Sequence, residues 1–245
     1  MNLLRVYAIG MLYAKWMLKN KIFYLYLTLF LPFSILVPFY LIASEYNRSF
    51  IAIGTLIFTL LSNSMVTACQ DLAVDKLLKR IEVLLSKPIT SIEYFLGQIL
   101  SNAIQTFPAT LIMIITLYIL NILSIANILL FLIGLILGWY IATAIGFTIA
   151  IVLSSKDYNT IVITSNVISF ILVFLAPIYY PPSYIPEPFR YLALVLPSTH
   201  IANIIGASCR VNYNIDLLTS LVYLLALAII LTMVIAMKIK LKDIY

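Results

Sequence analysis

The stretch Asp75-Lys76-Leu77-Leu78-Lys79-Arg80-Ile81-Glu82-Val83-Leu84-Leu85-Ser86-Lys87-Pro88-Ile89-Thr90-Ser91-Ile92-Glu93 stands out because the segments around it are apolar enough to lie in a membrane and it is not. At helical spacing Leu77, Leu78, Ile81, Leu84 and Leu85 fall on one face, with Asp75, Lys76, Lys79, Arg80 and Glu82 on the other. The spacing predicts a short amphipathic helix. Ser86-Lys87-Pro88 ends it, since proline has no amide proton and pushes its predecessor out of the helical region. Thr90 followed by Glu93 reads as a capping box that starts the next helix at once. Helix, proline turn and capped helix make a stiff elbow, and a loop that only connected two segments would not need such punctuation.

The flanking segments set the fold class. The chain has 245 residues, 64% hydrophobic and 10% charged, with a mean hydropathy of +1.11, whereas ordinary soluble domains are about one quarter charged. Apolar runs near the length of a membrane-crossing helix fall at 22–43, 50–70, 94–120, 128–153, 159–180 and 217–237. The expectation is an all-α integral membrane protein of six transmembrane helices, one domain over residues 1–245. Within it, 1–21 form an interfacial helix, 75–93 the cytoplasmic elbow and 181–216 an outer re-entrant segment.

Every Lys, Arg, Asp and Glu lies outside the six runs, as the expense of a charge at mid-membrane requires. With the N terminus in the cytoplasm, twelve of the 15 Lys and Arg residues fall inside and only Arg48, Arg190 and Arg210 outside. That distribution obeys the positive-inside rule, places both termini in the cytoplasm and locates the chain in the cell membrane. The net charge of +6 is then accounted for by topology and the anionic inner leaflet, without a nucleic-acid partner. Cys69 and Cys209 fall on opposite sides, which forbids a disulfide. No cleavable signal peptide is expected, because the first long apolar run starts only at Ile22 and carries Pro32 and Pro38.

Along the chain, Arg5, Lys15 and Lys19 share one helical face of residues 2–21, with Leu4, Tyr13, Trp16 and Met17 helping to make up the rest. This fits a helix lying in the inner interface, the alternative being a flexible tail. Pro32 and Pro38 predict a kinked first span. Thr55, Thr59, Asn63 and Thr67 repeat every four residues in the second span, and Gln98, Asn102 and Gln105 share a side of the third. Such residues read either as interhelical hydrogen-bond partners or as pore lining. Gly134, Gly138, Ala142 and Gly146 form a small-residue face, a packing seam within the subunit or between subunits. Asn159, Asn166 and Ser169 share a face of the fifth span. From Pro181 to Asp216 the chain is apolar but broken by prolines, which predicts two short helices dipping into the outer leaflet rather than a seventh span. His200, the single histidine, reads as structural, since no metal-binding cluster accompanies it.

Several chemistries lack their motifs. There is no GxxxxGK[ST] phosphate loop, no HExxH, no zinc-spaced cysteine pair and no GxSxG. The spans also lack the ionisable relay of a proton-driven carrier. No catalytic residue, metal or cofactor is expected in this chain, and the energy for any work enters from outside it.

The run Arg80-Ile81-Glu82-Val83-Leu84-Leu85-Ser86-Lys87-Pro88-Ile89-Thr90 leading to Glu93 and Gly97, the later Ala176-Pro177-Ile178-Tyr179-Tyr180-Pro181, Ile185-Pro186, Leu196-Pro197-Ser198-Thr199 and Arg210, and the six spans resemble the permease subunits of type-2 ABC transporters. The likeness is greatest to exporters of drugs, polysaccharides and lipid-linked glycans, and it covers essentially the whole chain. The Glu-Ala-Ala loop of ABC importer permeases is absent, Glu93-Tyr94-Phe95 standing in its place. The resemblance implies that the elbow, through Lys76, Lys79, Arg80, Glu82, Lys87 and Pro88, docks as a coupling helix on a separate ATPase subunit dimer that binds ATP and magnesium. It implies a second permease subunit, identical or paralogous, and a pathway lined by Thr55, Thr59, Asn63, Asn159 and Asn166. This chain has no large outer domain, and its elbow lacks the glycine common in the family's coupling region. Two other classes stay open on the residues alone: a stand-alone sodium-coupled carrier or channel using the polar edges, and a membrane-embedded enzyme or scaffold.

Overall fold

The computed structural model describes residues 2–42, 44, 47–80, 89–154 and 156–238. Among them there are ten α-helices and no strand. In chain order they are α1 (Leu3–Lys19), α2 (Lys21–Leu25), α3 (Leu31–Ile42), α4 (Arg48–Leu77), α5 (Ser91–Ile119), α6 (Ile128–Val152), α7 (Tyr158–Phe174), α8 (Glu187–Val195), α9 (Pro197–Ser208) and α10 (Leu217–Lys238). A π-helical turn, Tyr26–Phe30, joins α2 to α3 without interrupting the helix. Pro32 has no amide to offer the carbonyl of Thr28, and the wider turn sits where that bond is missing.

Local chemistry sets the helix starts. Thr90 Oγ1 accepts from the Glu93 amide at 3.3 Å and Glu93 Oε2 accepts from the Thr90 amide at 3.0 Å, so the expected capping box is present. Asn127, Asp157 and Asp216 accept from Leu130, Thr160 and Thr219 amides at 3.1, 3.1 and 2.8 Å. Pro197 opens α9, and the extended backbone of Leu196 before it turns the chain by 85° between α8 and α9.

Four helices among the described residues are long and apolar enough to cross a membrane: Arg48–Leu77, Ile92–Ile119, Ile128–Val152 and Leu217–Met237. The bent α8–α9 pair makes a fifth if its arms count as one span, and Thr28–Ile42 and Tyr158–Phe174 are shorter apolar helices. The chain is a multi-pass, all-helical membrane protein.

Helix α4 is the axis of the bundle. It is buried almost continuously from Phe50 to Asp75, enclosed by α3, α5, α6, α7 and α9. The small residues of α6 admit these neighbours within the chain: a Cβ on Gly134 would lie 2.8 Å from Ile205, one on Gly138 3.2 Å from Ile201 and Leu60, and one on Gly146 2.3 Å from the carbonyl oxygen of Met65. Ala142 is buried in the same row. Helix α1 lies against α5, where Gly97 leaves room for Ile9 and Gly10 for Leu100.

Polar rungs cross the apolar bundle. Asn102 on α5 donates Nδ2 to the Ser64 carbonyl at 2.9 Å, while its Oδ1 accepts from Trp139 Nε1 at 2.9 Å and lies 2.9 Å from the Thr143 hydroxyl. Gln105 Nε2 donates to Asp71 Oδ2 at 2.9 Å and Gln98 Nε2 to Asp75 Oδ2 at 3.0 Å. The three polar residues of α5 are thus interhelical partners. In the re-entrant pair, His200 places Nε2 2.8 Å from the Leu194 carbonyl and Nδ1 3.1 Å from the Ser220 hydroxyl. The nitrogen facing a carbonyl carries the proton, and with both ring nitrogens held by protein groups the histidine has a structural role. Cys69 and Cys209 are both free and buried.

Four expectations are corrected. The elbow helix does not begin at Asp75: α4 runs through it to Leu77, Leu78 caps the helix, and Lys79 has φ 52°. Asp75 is fully buried instead of lying on a solvated face, because its spacing from Asp71 puts both carboxylates on the stripe of α4 that meets α5. Conversely Leu77 and Leu78, expected on the packed face, are 63% and 52% exposed. Tyr13 likewise turns into the protein, at 2% exposure, and is not an interfacial ring. Residues 81–88, which include Glu82, Lys87 and Pro88, lie outside the described residues, as does the side chain of Trp16.

Two substitutions test this packing. Gly146→Ala should lower stability by about 2 kcal/mol, since the new methyl meets backbone, and Gly138→Ala by less than about 1 kcal/mol, since it meets movable side chains; equal shifts in the thermal midpoint in detergent would contradict this. Asn102→Leu should remove about 2 kcal/mol, the sum of three membrane hydrogen bonds of ordinary strength, read by the same unfolding measurement.

Candidate functional site

Two regions carry the polar chemistry of the bundle. The first is a junction at its lysine-rich end, where the C-terminal end of α4, the start of α5, helix α1 and the loop between α6 and α7 converge. Lys79 and Lys156 are exposed and Lys76 half-buried, with Lys76 Nζ 3.4 Å from the Lys156 carbonyl. Arg80 folds back past the break at Lys79: its guanidinium is 3.7 Å from Asp75 Oδ1 and 5.9 Å from the centre of the Tyr13 ring. Glu93 ties the start of α1 to the start of α5, accepting from the Asn2 amide at 2.6 Å and pairing with Arg5 at 3.7 Å. Its negative charge also suits the first turn of α5. In the neighbouring loop, the hydroxyl and amide of Thr160 hold the Asp157 carboxyl below its ordinary pKa. Of the residues that the resemblance assigns to coupling, Lys76 reaches the α6–α7 loop, Lys79 is exposed and Arg80 turns inward to Asp75.

The second region is a cleft of about 220 Å³ between α4, α7 and the α2–α3 helix. Ser62, Asn63, Thr67, Gln70, Asn166 and Ser169 supply its polar lining, and Tyr26, Phe58 and Phe170 its aromatic lining. The hydroxyls of Ser62 and Ser169 meet at 2.7 Å across the α4–α7 contact. Asn63 and Asn166, both picked out from the sequence, share this cleft. Thr55 and Thr59 do not line it: they are buried, and their hydroxyls return to the carbonyls of Ile51 and Thr55 at 2.8 Å each. Asn159 is exposed at the start of α7, away from the cleft. Ser62 and Gln70 were not anticipated, and the signal that finds them is their position beside Asn63 and Thr67 on α4.

From the cleft a run of aromatic rings leads toward the segment after α7. Phe58 lies 6.3 Å from Phe170 and 6.2 Å from Phe174, Phe174 lies 6.1 Å from Tyr179, and Tyr179 stacks on Phe39 at 5.0 Å. Gly54 makes room for the Tyr179 ring, which a Cβ would approach to 2.4 Å. Among the described residues no group of His, Cys, Asp and Glu is placed to hold a metal ion. The arrangement offers a polar and aromatic cavity wall and a basic junction suited to a protein contact.

A family model described as ABC-2 type transporter matches residues 2–208. No curated protein matches the chain. The family's membrane domain lacks a nucleotide-binding domain, which implies an ATPase partner. With the match covering most of its length, this chain belongs to the ABC-2 type transporter family as a membrane permease component.

Proposed function

We propose that the chain is one permease half of an ATP-driven exporter that moves an amphipathic, lipid-linked or drug-like substrate outward. Six spans are the reading that family, length and charge favour together: α2, the π-turn and α3 form one unbroken helix, and α7 is prolonged by the apolar residues that follow it. Both termini then lie in the cytoplasm, with the basic junction on the same side. A second permease subunit, identical or paralogous, completes the pathway across from the cleft, and lipids surround the pair.

The observation that carries this reading is the juxtaposition, within a family that works with a separate ATPase, of an exposed basic junction and a cleft on the same central helix. We assign Lys76, Lys79 and Arg80 to docking, and Glu82, Lys87 and Pro88 with them on the family resemblance alone, while the ATPase subunits hold ATP and magnesium. Exposed Leu77 and Leu78 add an apolar patch to these charges, a combination suited to a protein partner. Asn63 and Asn166, with Ser62 and Ser169, serve the substrate, and the Phe58 to Phe39 ring series closes the far end.

Purification from the native membrane should recover an ATPase subunit with the permease. Replacing Lys76 and Lys79 together by glutamate should lower its recovery and the stimulation of ATP hydrolysis by about tenfold, the effect of about 1.4 kcal/mol of lost binding. Undiminished recovery would refute docking at this surface, and sodium-driven uptake by the lone chain would favour a carrier instead.

A further inference from the structure

We propose that Asp75 is a positioning residue that passes displacement of Arg80, which lies just past the break at Lys79, to α1, α4 and α5 at once. The inference rests on the reading that an ATPase subunit docks at this junction. Asp75 has no exposed surface, so each of its hydrogen bonds is made inside the protein. One oxygen accepts from the hydroxyl of Tyr13 on α1, the hydroxyl of Tyr94 on α5 and Nε2 of Gln98 on α5, and the other faces Arg80. Three neutral donors share Oδ2, while Oδ1 is buried, has no hydrogen bond among the described residues and faces only the Arg80 guanidinium at 3.7 Å. Displacing it therefore disturbs three helices together.

Arg80 is built to do the displacing. In an unbroken helix the fifth residue after Asp75 would stand about 140° around the axis, on another face. The left-handed backbone of Lys79, φ 52°, is what returns Arg80 to the buried carboxylate. If docking draws Lys79 back into helical geometry, Arg80 is carried off Asp75 and away from the Tyr13 ring, and the carboxylate is left with neutral donors only. A junction so displaced would have two discrete arrangements, which is the physical requirement for passing a signal between sites. The route to the cleft is α4 itself, which carries Asp75 at one end and Ser62, Asn63, Thr67 and Gln70 further along.

The test uses the purified complex with its ATPase and a reporter, Gln70→Cys, at a half-buried position of the cleft wall; the native Cys69 and Cys209 are buried. A membrane-impermeant maleimide measures the reporter's labelling rate with and without ATP trapped by vanadate. In the otherwise unaltered chain trapping should change the rate by about fivefold or more. Asp75→Asn keeps the shape and removes the charge, and should bring that ratio to one while the ATPase stays bound and the thermal midpoint shifts little. Tyr13→Phe removes only the tie to α1 and should give an intermediate ratio. Arg80→Lys keeps the charge and should retain most of the response. Ratios equal to the unaltered chain's in both Asp75→Asn and Tyr13→Phe would overturn the proposal. If Asp75→Asn is not recovered folded, the Tyr13→Phe ratio alone decides. Absence of an ATPase from the unaltered chain would overturn the functional reading as well.

Discussion

A carboxylate with no exposed surface must find its hydrogen bonds and its counter-charge inside the protein, and Asp75 finds them on α1, α5 and the segment beyond α4. That requirement fixes the ends of three helices relative to one another. Moving along α4, Asp71 meets Gln105 and the Ser64 carbonyl meets Asn102, so the demand is met again on α5 at each level. In the apolar remainder of the bundle small residues perform the corresponding task, letting backbones approach where no hydrogen bond holds them. Polar rungs and glycine gaps alternate around one central helix.

Much of this was legible in the sequence. Thr90 and Glu93 announced the start of α5, and Gln98, Asn102 and Gln105 shared a side because all three face partners on other helices. The row Gly134, Gly138, Ala142 and Gly146 marked the side of α6 that others approach. What was not legible was the path of α4 beyond residue 70. A charge marks the end of a membrane helix only when it would face lipid, and Asp71 and Asp75 face protein, so composition ended the helix too early. The amphipathic pattern from Asp75 onward then assigned exposed leucines to a packed face.

Spacing was also blind to where hydroxyls point. Thr55, Thr59 and Asn63 recur every four residues, yet the two threonines bond back to their own helix while Asn63 borders the cleft. On a helix with one lipid face the recurrence would select a side, but α4 is covered on nearly all sides and every side has a neighbour. The cleft depends on tertiary geometry, with α4 and α7 meeting at Ser62 and Ser169 and parting beside them. The family match supplies what neither spacing nor geometry could, namely that the chain is the membrane component of an ABC-2 type transporter.

The enclosure of α4 also bears on how the protein is made. A helix carrying Ser62, Asn63 and Thr67 in its middle is poorly suited to stand alone among lipid tails, and the helices that shelter it, α5, α6 and α7, are synthesised after it. Insertion one helix at a time would leave these mid-span side chains facing hydrocarbon. Biogenesis therefore favours a route in which α4 is held aside, by the insertion machinery or by α1 and α3 already in place, until α5 arrives with its amides and the group enters the bilayer as a bundle.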